Sequence, residues 1–186
     1  MSEHVCPWWL GYFLASPIRR LEYDPREILV PYVHDGMTVL EPGPGMGFFT
    51  LELARLVGPS GRVVAVDLQP KMLNGLRRRA SKAGLLERIQ ARQAERSSLG
   101  VADLAGKVDF ALAFAIVHEL PAAAPFFAEV ATTLEPGARL LFAEPVGHVK
   151  PAQFEAEFQA AVGVGLKPVE EPFIRRSRAV LLVKTG

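Results

Sequence analysis

Residues 39–47 read VLEPGPGMG. A short apolar run ends in an acid, Glu41, and three glycines follow at alternate positions, Gly43, Gly45 and Gly47. Glycine lets a chain turn tightly and lets its backbone come close to a ligand. The next segment, FFTLELARLV (48–57), sets apolar residues at 49, 53, 56 and 57 with polar Glu52 and Arg55 between them, a helical spacing. Strand, glycine loop and helix in that order present free N–H groups and a positive dipole end, a natural seat for an anion.

The same alternation continues along the chain. MTVLE (37–41), RVVAVD (62–67), RIQARQ (88–93), VDFALAF (108–114) and ARLLFAE (138–144) are short and apolar, as strands covered on both faces should be. PKMLNGLRRRASKAG (70–84), PAAAPFFAEVATTL (121–134) and QFEAEFQAAV (153–162) read as helices, the second closing at Pro136-Gly137. The Arg77-Arg78-Arg79 run reads as a solvated helix face. LKPVEEPFI (166–174) and RAVLLVK (178–184), joined by Arg175-Arg176-Ser177, read as a closing hairpin. The expected fold is α/β: a Rossmann-like, doubly wound, seven-stranded, mostly parallel sheet with a C-terminal antiparallel hairpin and helices on both faces. Ligands of such sheets bind at the carboxyl ends of the strands, near the reversal of strand order.

Bulk composition narrows the function. The 186 residues suit one domain, with 1–24 as an N-terminal cap and 25–186 as the core. Net charge is +1, which argues against nucleic acid as the partner. The single cysteine, Cys6, excludes an internal disulfide and points to the cytoplasm. CPWWLGYFLA (6–15) is too short for a membrane span and lacks the flanks of a signal peptide. His118, Glu119, His148 and Cys6 show no tight ligand spacing, so no metal is expected.

Two details separate the glycine loop from a dinucleotide site. The dinucleotide fingerprint is G-x-G-x-x-G, whereas Phe48 holds the place of the third glycine here and Gly47 comes one residue early. Glu41 would also repel a pyrophosphate, and would attract an ammonium or sulfonium. Asp67, at the tip of the second strand, is placed to accept hydrogen bonds from ribose hydroxyls.

With those residues in hand, the chain resembles class I S-adenosylmethionine-dependent methyltransferases of the small-molecule branch that includes the ubiquinone and menaquinone enzymes. The likeness runs from about Tyr23 to Lys184. VLEPGPGMG matches the first motif of the family, with Glu for the commoner Asp, and VVAVDLQPKML matches the second. LEPGARLLFAEP resembles the approach to the fifth strand and FIRRSRAVLLVK the closing hairpin.

The resemblance implies S-adenosylmethionine as cofactor and assigns roles. Glu41 would lie near the methionine amine. Gly43, Pro44, Gly45 and Phe48 would pack along the cofactor. Asp67 would hold the ribose, and Leu68 and Met72 the adenine or ribose edge. Gln93, Ala94 or Glu95 replaces the usual third-strand acid. Ala113, Phe114 and Ala115 would lie under the sulfonium. Arsenic methylation uses several thiols in relatives that perform it, and Cys6 stands alone.

His118, after the fourth strand, reads either as a general base or as a structural histidine. Glu119 reads as a substrate contact or as a cap on the next helix. Glu144 and His148, after the fifth strand, are further pocket candidates. Trp9 and Tyr12 belong to an aromatic N-terminal patch that reads as a lid shaping the pocket, a packed helix, or a homodimer contact.

A thiolate, enolate or phenolate acceptor would need little beyond alignment behind the methyl, and an amine or alcohol would want a base. The rival readings are a cofactor-binding module without chemistry, a nucleic-acid methyltransferase and a dinucleotide oxidoreductase. AFAIVHEL lacks the [NDS]-P-P-[YFW] stretch of base-amine enzymes, and Glu41 and Phe48 oppose the oxidoreductase.

Overall fold

The computed structural model of the chain describes residues 22–186. The expectations for Trp9, Tyr12 and the aromatic lid lie outside the described residues. Seven strands form one mixed sheet in the order β3-β2-β1-β4-β5-β7-β6. The chain divides into two compact units, residues 1–100 and 101–186.

Among the described residues the first unit opens with helix α1 (Pro25–Leu29), whose N-cap Asp24 accepts the Arg26 and Glu27 N–H groups. Strand β1 (Thr38–Pro42), helix α2 (Thr50–Leu56), strand β2 (Arg62–Asp67), helix α3 (Pro70–Lys82) and strand β3 (Ile89–Gln93) follow. All three strands are parallel: Val39 sits beside Val63, and Val63 beside Ile89. The apolar runs read from sequence are buried, with Val39, Leu40, Val63, Val64 and Ala65 wholly inaccessible. Each of these valine and leucine side chains contributes roughly 1.5–3 kcal/mol by leaving water. Helix α2 rests on β2, and α3 on β2 and β3. The Glu52–Arg26 ion pair ties α1 to α2, and Glu52 also pairs with Arg55 one turn along its own helix.

The second unit holds strand β4 (Val108–Phe114), helix α4 (Ala123–Thr133), strand β5 (Leu134–Pro145), helix α5 (Pro151–Gly163), and strands β6 (Leu166–Glu170) and β7 (Ser177–Lys184). β4 and β5 are parallel, and β7 runs antiparallel to both β5 and β6. An aromatic stack joins the layers. Phe142 of β5 meets Phe127 of α4 edge-on at 5.3 Å and Phe154 of α5 face-on at 5.0 Å. Among the described residues no helix is long and apolar enough to cross a membrane.

Two strand boundaries differ from the sequence reading by four residues. The helix expected over 121–134 stops at Thr133, and the strand expected from Ala138 begins at Leu134. Leu134 pairs with Val108 before the register shifts, so Pro136 and Gly137 occupy an irregularity inside the strand. The strand expected over 166–174 ends at Glu170. Pro172 cannot donate to a ladder, and Phe173 is 95% exposed instead of packed.

Candidate functional site

In the first unit, the site is built mainly of backbone. Glu41 is buried, 3% exposed, near the carboxyl end of β1. Gly43, Gly45 and Gly47 all have left-handed φ, +70°, +54° and +84°, a conformation that costs an L side chain roughly 1–2 kcal/mol. The loop is anchored where Gly43 N–H meets the Val66 carbonyl at 2.8 Å and Gly47 N–H the Pro44 carbonyl at 2.9 Å.

The glycines do different work. A Cβ on Gly47 would lie 2.4 Å from Leu76 Cδ1, so Gly47 is required by packing on α3. A Cβ on Gly45 would meet nothing within 4 Å, so that face of the loop opens onto empty space. Helix α3 holds the loop from below. Gly75 admits the Met46 side chain, and Arg79 donates to the Met46 carbonyl at 2.5 Å. Arg77 and Arg78 are exposed, as a solvated face requires, whereas Arg79 is half-buried by this contact.

Asp67 closes β2, 9% exposed. Its Oδ2 accepts the Gly45 N–H at 3.2 Å and its Oδ1 the Gln69 N–H at 2.8 Å. It is not the N-cap of α3, a position held by Gln69 with Pro70 following. A carboxylate has about four lone-pair sites, so Asp67 can brace the loop and still accept from a diol. Leu68 is half-buried and Met72 is buried in α3. Ala94 N–H is held by the Asp67 carbonyl at 3.0 Å, which brings the end of β3 beside Asp67. Gln93 and Glu95 are exposed and Ala94 half-buried.

This half suits S-adenosylmethionine better than a phosphate-bearing cofactor. A buried carboxylate precedes the loop, the open face at Gly45 leaves room for close approach, and an acid stands at the tip of β2. Phosphate would meet two carboxylates there, whereas an ammonium and a ribose diol find acceptors.

In the second unit, side chains dominate. Ala113 and Phe114 end β4 and are buried. Ala115 takes a left-handed φ of +56°, and its N–H meets the Ala143 carbonyl at 2.8 Å. Strained non-glycine residues of this kind concentrate at functional sites. A 3₁₀ turn, Val117–Glu119, follows. Glu119 lies in that turn and does not cap α4, which starts later, after Ala122.

Glu144, expected to line a pocket, is fully buried. Its Oε1 accepts the Val117 N–H at 2.7 Å and the His118 N–H at 3.3 Å, and its Oε2 lies 2.6 Å from His118 Nδ1. His148 is exposed, its ring 6.1 Å from that of His118. Burial alone would push the His118 pKa down. The hydrogen bond and charge of Glu144, with the charges of Glu119 and Glu157, outweigh it and leave the pKa above 6.5.

Sequence reasoning missed the Glu144–His118 pair and Glu157, a buried acid of α5. The signal was available in principle. Parallel neighbours β4 and β5 align Phe114 with Ala143, so an acid just after Ala143 and a histidine just after β4 emerge side by side.

A family model described as a methyltransferase domain matches residues 33–168, well over half of the chain. The arsenite methyltransferase of Halobacterium salinarum is 32% identical over 111 residues, covering 60% of this chain and 28% of that protein. The ubiquinone/menaquinone biosynthesis C-methyltransferase UbiE of Klebsiella pneumoniae is 35% identical over 71 residues, covering 38% and 28%. The match thus spans less than a third of these relatives' own length. A crystal structure of an S-adenosylmethionine-dependent methyltransferase from Aquifex aeolicus superposes with a TM-score of 0.85 at 24% identity, covering 96% of this chain and 98% of that one. The domain match and the shared sheet agree: the chain belongs to the class I S-adenosylmethionine-dependent methyltransferases.

Proposed function

We propose that this protein moves the methyl group of S-adenosylmethionine to a small-molecule acceptor by in-line displacement. The observation that carries the reading is Glu41, buried two residues before a loop of left-handed glycines that is braced by Asp67. In this reading Glu41 holds the methionine ammonium, directly or through water. Gly43, Pro44, Gly45 and Phe48 pack along the methionine and ribose, Asp67 accepts from the ribose hydroxyls, and Leu68 and Met72 contact the adenine or ribose edge. Gln93, Ala94 and Glu95 offer acceptors to the adenine amine.

When bound, S-adenosylmethionine supplies a methyl already activated by its sulfonium. The protein's part is to align the nucleophile and exclude water. His118 takes the acceptor's proton where the nucleophile carries one. The small size of the acceptor is supported by relatives named for arsenite and for ubiquinone/menaquinone biosynthesis, and by a net charge of only +1. Residues 25–186 form the catalytic core in this reading, and the lone Cys6 suits a cytoplasmic setting.

The test is turnover. Purified protein with S-adenosylmethionine and a panel of phenols, amines, alcohols and thiols is expected to release S-adenosylhomocysteine above the acceptor-free blank. Tight cofactor binding with no turnover on any acceptor would instead mark a binding module.

A further inference from the structure

His118, Glu144 and Glu157 form a cluster in the second unit that cofactor binding leaves unused. Glu144 is fully buried and makes three contacts: two backbone N–H groups of the 3₁₀ turn on Oε1 and the ring of His118 on Oε2. An ionised carboxylate only accepts hydrogen bonds. His118 Nδ1 must therefore carry the ring proton, and neutral His118 presents Nε2 as a bare lone pair. Among the described residues Nε2 has no hydrogen-bond partner. The ring is 17% exposed, against 0% for Glu144. One side of the pair is sealed and the other can meet a ligand.

The surrounding charges favour a proton on this ring. Glu144 faces it from β5, Glu119 from its own turn and Glu157 from α5. His148 lies 6.1 Å away on the segment after β5. Arg178, the cross-strand partner of Glu144 on β7, donates to the Val149 carbonyl at 2.9 Å. Glu157 is 7% exposed, and among the described residues its Oε2 has no hydrogen-bond partner.

Resting on the methyl-transfer reading above, we propose that Glu144 is a positioning residue that fixes His118 as a general base acting through Nε2. The acceptor is then an alcohol, phenol or amine whose reacting atom still carries its proton, and not a preformed thiolate. As the acceptor's oxygen or nitrogen bonds to the methyl carbon, its proton passes to Nε2. The methyl–sulfur bond breaks with its electron pair returning to sulfur. His118 imidazolium, held against Glu144, later releases that proton to water.

The isosteric Glu144→Gln substitution probes this directly. The amide oxygen can keep the two backbone donors, which leaves the amide nitrogen facing Nδ1. Nδ1 must then accept, and the ring proton moves to Nε2, where it blocks the base.

The experiment combines nitrogen-15 NMR of the imidazoles with rates on catechol, which needs a base, and thiophenol, which is ionised at neutral pH. In the wild type, neutral His118 is expected as the Nδ1–H tautomer. In Glu144→Gln it should become Nε2–H, catechol methylation should fall about 100-fold or more, and the acid limb of kcat/KM should move to lower pH. His118→Gln leaves Glu144 on its turn. It should lose catechol but not thiophenol methylation, with cofactor affinity by calorimetry unchanged. An Nε2–H tautomer in the wild type, an unmoved tautomer and acid limb in Glu144→Gln, or full catechol activity in His118→Gln would overturn the proposal. Loss of cofactor binding by the wild type would refute the methyl-transfer reading, while the tautomer measurement still judged the pair.

Discussion

The two units make their functional groups by different means. In the first, the backbone acts: three left-handed glycines, two N–H groups on Asp67 and a loop clamped from α3. In the second, side chains act: a histidine and a buried glutamate 26 residues apart, resting on one 3₁₀ turn. A backbone site tolerates almost no change of residue type at its turning points, because conformation is the function. A side-chain site tolerates change around it and fails when one atom changes its proton.

That contrast can be broken by substitution, beginning with the largest effect. His118→Gln should lower the rate with a protonated acceptor by about 10²–10⁴-fold while cofactor affinity stays put, as measured by steady-state kinetics beside calorimetry. A parallel fall in affinity would mean that the two units do not divide the work. Asp67→Ala should weaken cofactor binding by about 10- to 100-fold, since hydrogen bonds to a charged group contribute roughly 1.5–3 kcal/mol.

The glycines sharpen the comparison further. Gly47→Ala should cost about 1–3 kcal/mol of stability in denaturant titration, combining left-handed strain with the clash on Leu76. Gly45→Ala should cost only about 1 kcal/mol, yet lose more affinity, because its Cβ would project into open space that the methyl-transfer reading assigns to the cofactor. Equal profiles for the two would remove the distinction between a packing glycine and a contact glycine.

The smallest effect concerns Glu157. Burial first, then the Glu144 charge, raises its pKa, against the lowering effects of Gln153 and His118. A raised folded pKa makes the carboxyl's contribution greatest at low pH, below its ordinary value of 4.5, and lost as pH rises through the folded value. Glu157→Gln should therefore match the wild type near pH 4 and exceed it by about 1 kcal/mol at neutral pH. His118, also raised, contributes in the same sense: most below pH 6.5, and less as pH climbs through its folded pKa. Thermal melts across that range check both signs.

The first unit was largely legible in the sequence because its signals are local. Glycine spacing, Glu41 and the acid closing β2 lie within contiguous strand–loop–helix segments, where turn chemistry and periodicity act. The Arg79 clamp was not legible, since a triple arginine on a helix reads the same whether one member turns inward or not. The second unit yielded its strands but not its chemistry. His118 could be named but not explained, because its meaning depends on Glu144 arriving beside it from the next parallel strand. Glu144 itself looked like a pocket residue. Its burial follows from contacts across the sheet, with Arg178 of β7 beside it and the turn after β4 closing over its carboxylate, which no local signal shows. Phe173 was placed in a strand, and Pro172 ended that strand before reaching it.

The most direct test of the central claim is calorimetric titration of the wild type and Asp67→Ala with S-adenosylmethionine, S-adenosylhomocysteine and NAD. Micromolar binding of the first two, sharply weakened in the variant, with no heat from NAD, is the predicted result. Binding of NAD alone would contradict it, and would mean that Glu41 does not select a cation.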